Sequence, residues 1–218
     1  MAKYTFSMSD VTGDTRGLAR VSYGYDWNFL ADDETLLFGT TDETAFSVKN
    51  ITPGTGISTG SGTLYKGSVL RMGDVIETTI VIDITGLSSN IVGDIIGVAG
   101  GTANCHLGQI TTAINGNILG GSMQCLETPA TGEPDIDLYS ATVATGAEDA
   151  AIGDLTETAL LNAGQDWIAG LSANQFNYAG LTTVPPANGY LYLTGGGGTT
   201  DAAYTAGKFV IKLYGYPS

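Results

Sequence analysis

The chain has 218 residues, 43% of them hydrophobic, a mean hydropathy of +0.13 and a formal net charge of −14. That apolar content excludes intrinsic disorder, and no apolar run reaches the roughly 18 residues of a membrane-spanning helix. The charge is unevenly placed: residues 72–207 hold fourteen Asp and Glu and no Lys or Arg, so that block has no means of gripping nucleic acid or anionic lipid. The central block therefore reads as a solvated acidic exterior, with divalent-cation binding as the remaining option. Met1 to Asp10 carries one Lys and no apolar block, so no secretory signal is expected there, and release by lysis, as for a virus particle, would fit.

Residues 1–60 have frequent Gly, Asp and Thr breaks and read as an N-terminal arm or irregular extension, with Tyr4–Met8 a short candidate strand and Tyr23, Tyr25 and Trp27 alternating along it. Leu64–Arg71 is a candidate strand. Val75–Thr85 is the clearest one: Ile76, Thr78, Ile80, Ile82 and Ile84 share one parity, and Glu77, Thr79, Asp83 and Thr85 share the other with Val75 and Val81. Asn115-Gly116 separates Cys105–Ile114 from Asn117–Leu126 and predicts a type I′ hairpin. Its register collects Ile110, Ile114, Leu119, Met123 and Cys125 on one face and Gln109, Ser122 and Gln124 on the other. Ile136–Ala141 and Tyr190–Thr194 are shorter strand candidates.

Leu155–Ala163 is the one plausible helix, with Asp154 as cap, Glu157 three residues on and Gly164 at its end. Gly195–Gly198 with Thr199, Thr200 and Asp201 reads as a loop. Lys208–Tyr216 alternates again, with Phe209, Ile211 and Leu213 on one side and Lys212, Tyr214 and Tyr216 opposite. The fold class is all-β, an antiparallel, jelly-roll-like β-sandwich over residues 61–218 with at most one short helix.

Chemistry is sparse. The only histidine, His106, sits on a predicted strand, where a structural role is favoured over nucleophilic catalysis. Cys105, His106 and Cys125 lack zinc-ligand spacing, and the predicted register puts the two cysteines on opposite faces, so free thiols are expected. Neither Gly195–Gly198 nor Gly93–Gly101 carries a phosphate-cradling signature. Glu133, Asp135 and Asp137 share one strand parity and could offer oxygens to Ca²⁺, but with no EF-hand or Gly-Asp repeat beside them a solvated polar face is favoured. The sequence thus assigns no catalytic, cofactor-binding or metal-binding residue. The aromatics are tyrosine-heavy, 11 Tyr against 6 Phe and 2 Trp, which suits sheet packing first, then subunit contacts, then glycan stacking.

Three blocks carry a resemblance. They are Tyr65-Lys66-Gly67-Ser68-Val69 with Ile80–Leu87; Gly93-Asp94-Ile95-Ile96-Gly97 with Cys105–Thr111; and Met123–Pro129 with Asp135–Tyr139. Together with Leu155–Thr158 and Leu213-Tyr214-Gly215-Tyr216, they make residues 60–216 resemble structural, head- or decoration-type proteins of marine tailed bacteriophages. The resemblance implies a virion component on the head exterior, a capsid decoration (cement) protein whose partner is the major capsid protein, with no catalytic motif and no cofactor. A homo-oligomer, taken as a trimer, fits that reading. The less acidic N-terminal segment is where contacts are expected, at Lys3, Arg16, Arg20, Tyr23, Tyr25 and Trp27, with Lys49, Lys66 and Arg71 further along. A receptor- or glycan-binding head of a fibre or tail appendage is the alternative, and a glycan-degrading enzyme is the least favoured reading.

Overall fold

The alternating segments become the strands that organise the sandwich. The computed structural model describes residues 4–6, 26–30, 35–39, 46–170, 177–198 and 202–217. In chain order the strands are β1 (Tyr4–Phe6), β2 (Asp26–Leu30), β3 (Thr35–Gly39), β4 (Phe46–Asn50), β5 (Leu64–Met72), β6 (Val75–Asp83) and β7 (Gly108–Ile110). They continue with β8 (Asn117–Ala130), β9 (Ile136–Ala141), β10 (Glu157–Leu161), β11 (Tyr178–Gly180), β12 (Gly189–Gly195) and β13 (Ala206–Tyr216). Every pairing between them is antiparallel.

The described residues form three sheets: β1-β2-β3, a four-stranded sheet in the order β10-β9-β12-β7, and a six-stranded sheet in the order β11-β8-β13-β6-β5-β4. From β6 onward the chain passes back and forth between the two larger sheets, so their facing surfaces are built from segments far apart in sequence. The period-two pattern decides which surface faces inward. Ile76, Thr78, Ile80 and Ile82 of β6 are buried, as are Phe209, Ile211 and Leu213 of β13, which pairs with it at Ile80↔Ile211. Against them stand Leu138, Leu191 and Leu193 of the four-stranded sheet and the fully buried Trp167, whose ring meets Phe209 edge-on at 5.6 Å between centroids. This is the all-β, antiparallel sandwich that the alternation predicts.

The sheet begins earlier than residue 61. β4 pairs with β5 from Phe46↔Met72 to Asn50↔Ser68, and Ile51 and Ile57 belong to the core. Residues 46–60 are therefore part of the sandwich.

Two local expectations are corrected. Asn115-Gly116 does not close a hairpin. Thr112–Asn115 is a single helical turn, after which the chain crosses from β7 in the four-stranded sheet to β8 in the six-stranded one. Asn115 is fully buried and pins that crossing: its Oδ1 accepts from the Thr111 amide at 2.8 Å and its Nδ2 donates to Thr78 Oγ1 at 2.8 Å, which also satisfies the one hydroxyl on the aliphatic face of β6. Gly116 has φ +70°, and a Cβ there would lie 2.4 Å from the Tyr216 carbonyl oxygen, so the turn needs glycine for reasons unrelated to a hairpin. The predicted apolar face divides accordingly: Ile110, Met123 and Cys125 are buried, while Leu119 is 70% exposed.

The helix predicted over Leu155–Ala163 is strand β10, preceded by a 3₁₀ turn at Ile152–Asp154. A register shift between Ala159 and Leu161, in the pairing with β9, buries both Leu160 and Leu161. That bulge breaks the alternation and imitates a helical spacing. The α-helices of the described residues are two single turns, Thr55–Ser58 and Thr112–Asn115.

Candidate functional site

His106 packs against aromatic rings, and both cysteines are buried. His106 lies edge-on to Tyr190 and Tyr192, with ring centroids 4.9 and 6.3 Å away, and burial lowers its pKa, which favours the neutral ring. Cys105 and Cys125 are free and buried, their thiols donating to the carbonyls of Thr102 and Glu127 at 3.0 and 3.1 Å. Burial pushes them up to about 12 and about 11, the opposite of an activated nucleophile. They do not face one another on a hairpin: Cys125 is on β8, and Cys105 is in the segment before β7. A pocket of about 180 Å³ beside Ile110, Thr111 and Pro185 is smaller than typical small-molecule sites.

Two regions stand apart. The first is the outer face of the six-stranded sheet, where the opposite parity of β5, β6 and β13 gathers Leu64, Lys66, Met72, Val75, Glu77, Asp83, Lys208, Lys212, Tyr214 and Tyr216. Large apolar side chains stay exposed on this sheet and its strand ends: Leu64 at 65%, Val75 at 50%, Met72 at 47%, Tyr178 at 58%, Tyr216 at 45% and Tyr214 at 41%. Cross-strand ion pairs neutralise it, Lys212 to Glu77 at 2.9 Å and Lys208 to Asp83 at 3.2 Å and Glu127 at 3.5 Å. The Lys212 hydrogen bond, against a smaller effect of burial, lowers the Glu77 pKa; for Asp83, burial is outweighed by the Thr85 hydroxyl and amide and by Lys208.

The second region is the stretch Glu133-Pro134-Asp135-Ile136-Asp137 entering β9. These carboxylates are not a solvated face: Glu133, Asp135 and Asp137 are 8%, 6% and 3% exposed. The backbone is clamped there: Trp167 donates through its amide to the Pro134 carbonyl at 3.1 Å and through its indole to Ile136 at 2.8 Å, and the Tyr204 hydroxyl donates to Glu133 at 2.9 Å. The glycine run lies on top of the acids. A Cβ on Gly196 would sit 2.7 Å from Asp135 Oδ1 and 3.0 Å from Asp137 Oδ1, and one on Gly198 would sit 1.9 Å from Glu133 Oε2. Asp137 Oδ1 accepts from the Ala163 amide at 2.6 Å, whereas Asp135 Oδ1 is buried without a hydrogen-bond partner. Among the described residues no three His, Cys, Asp or Glu side chains converge as a metal-ion site.

Set beside family models, curated proteins and solved structures, the chain matches none.

Of the interface residues expected from sequence, Lys3, Arg16, Arg20, Tyr23 and Tyr25 lie outside the described residues. Trp27 occupies a central position of β2, in register with Phe6 and Phe38. The structure does separate the tyrosines that composition groups together. Tyr192 and Tyr204 are fully buried, with hydroxyls donating to the carbonyls of Val143 and Glu133, and Tyr65 donates to Leu107; Tyr178, Tyr214 and Tyr216 are exposed. Period two alone distinguishes Tyr214 and Tyr216 from Phe209, Ile211 and Leu213. The meeting of the glycine run with three acids some 60 residues earlier has no local signal in the sequence. The outer face sets exposed tyrosines and aliphatic side chains beside paired charges. Among the described residues no Lys or Arg forms an ion pair with the acidic stretch.

Proposed function

We propose that the chain is a structural protein of a tailed-phage virion, specifically a capsid decoration protein that binds the assembled major capsid lattice from outside and stabilises it. A protein that binds only the assembled shell lowers the free energy of that state by mass action, with no catalysis required. The observation that carries the reading is the outer face of the six-stranded sheet. In a chain of net charge −14, this face pairs its carboxylates with lysines and leaves Tyr178, Tyr214 and Tyr216 exposed beside aliphatic side chains. Exposed tyrosines with a neutral surround dock on protein at low desolvation cost, and they dominate many interface energies. The segment resemblance and the cation-free central block support the same reading. The occupant of the face is the capsid subunit, and the N-terminal residues carrying Lys3, Arg16, Arg20, Tyr23, Tyr25 and Trp27 add a lacing contact.

The test is binding to capsids stripped of this protein, together with its copy number in purified particles. Hundreds of copies per particle, and binding weakened at least about tenfold by the double substitution Tyr214→Ala, Tyr216→Ala, are expected. A handful of copies, with saccharide binding through the same tyrosines, would replace this reading with a fibre or tail appendage.

A further inference from the structure

A buried carboxylate is tolerated when donors or a cation satisfy it, and the acids of this fold divide on that point. Glu148, 4% exposed, has both oxygens occupied: Ser88 Oγ donates to one at 2.7 Å and the Gly101 amide to the other at 2.8 Å. Asp135, 6% exposed, has an Oδ1 with no partner. Among the described residues, the charged groups facing it are Asp137 and Glu133 from its own segment and Asp166 from the segment leading to Trp167, all of one sign. The remaining titratable neighbours of the cluster are the phenols of Tyr204 and Tyr139. No Lys or Arg occurs between residues 72 and 207, so no cation of this stretch can neutralise them.

The glycine loop depends on these same groups. The Gly196 amide donates to the Asp135 carbonyl at 2.7 Å, and the Cβ positions of Gly196, Gly197 and Gly198 all fall within 3.4 Å of carboxylate oxygens of Asp135, Asp137 or Glu133. Loop and carboxylates are in direct contact, so charge added to one is felt by the other.

We propose that Asp135, with Asp137 and Glu133 beneath residues 195–198, is a proton-operated latch: the loop is held closed when the cluster takes up a proton from solvent and loosens when the proton leaves. A proton removes one negative charge and converts the orphaned Oδ1 into a group able to donate, whereas a metal ion would require several oxygens to converge. Burial first, and then the charges of Asp137, Glu133 and Asp166, push the Asp135 carboxyl up to about 6 against an opposing hydrogen bond from the Gln165 backbone, and burial raises Asp137 as well against that from the Ala163 amide. The transition is thus set just below neutral pH. It belongs to this region alone and does not rest on the docking role.

Amide hydrogen exchange at Gly196–Gly198 in the full chain between pH 5 and 8, corrected for intrinsic base catalysis, tests the latch. Protection should fall about tenfold or more across a midpoint near 6. Asp135→Asn, which keeps the shape and removes the titration, should make protection independent of pH. Unchanged protection in the native chain, or an unaltered pH profile in D135N, overturns the proposal. Should D135N fail to fold, the ¹³C shift of the native Asp135 carboxyl decides, and a midpoint in the ordinary aspartate range overturns it. Millimolar CaCl₂ at pH 8 should leave protection unchanged; restoration to the acid level would make the cluster a cation site and overturn the proton reading.

Discussion

Glu77 and Asp83 on the outer sheet face and Asp135 and Asp137 beneath the glycine loop are the same chemical group in opposite situations. The first pair is partly buried, meets Lys212 or Lys208 across a strand, and is held below the usual carboxylate range. The second pair is buried among acids and pushed above it. The difference lies in where the chain places its few cations: Lys208 and Lys212 lie on β13 at the centre of the six-stranded sheet, and the other described cations, Lys49, Lys66 and Arg71, are on β4 and β5 of that sheet. One region pairs its charges across strands; the other gathers carboxylates, with no described Lys or Arg paired to them, under a run of glycines.

The largest expected effect comes from crowding that segment. Gly198 has φ +65°, a left-handed backbone that a β-branched residue resists, and a Cβ there would displace the Glu133 carboxyl, so Gly198→Val should cost about 2 kcal/mol or more in denaturant unfolding. Asn115→Ala, which strips a buried bracket rather than a charge, should cost about 1–3 kcal/mol by leaving Thr78 Oγ1 and the Thr111 amide without their partner. If the two carboxylate environments differ as described, stability must respond to pH with two signs. Asp135 has a folded pKa above its unfolded value, so its contribution is complete below the unfolded value and is lost as pH rises through about 6. Glu77 and Asp83 have folded values below their unfolded ones, so their contribution is present above the unfolded values and is lost as pH falls through the folded ones. Melting scans from pH 4 to 8 should therefore pass through a maximum in mild acid. Asp135→Asn should raise Tm at pH 8 by about 2–4 °C and change it little at pH 5. Smallest is Lys212→Ala: an exposed cross-strand pair contributes at most about 1 kcal/mol, and its loss should matter less in high salt.

The same contrast explains what the sequence reveals and what it hides. β6 and β13 are legible because one face is buried and the other wet, which writes an alternation into nine and eleven consecutive residues. Their faces predict both the core and the exposed Tyr214 and Tyr216. The bulge in β10 hides a strand by burying consecutive leucines, and Asn115-Gly116 imitates a hairpin because a left-handed glycine serves a helical-turn exit as readily as a type I′ turn. Glu133, Asp135 and Asp137 are visible as a same-parity set, but their burial depends on a loop and on Trp167 arriving from distant segments. Such long-range closure leaves no periodic trace.

Footprinting of tyrosines and carboxylates in the free protein and in phage particles tests the proposed docking of the outer sheet face most directly. Tyr178, Tyr214 and Tyr216 should become protected in the particle while the exposed carboxylates Asp154, Glu157 and Asp166 stay as reactive as in the free protein. Protection centred on those carboxylates, with the three tyrosines unchanged, would contradict the account.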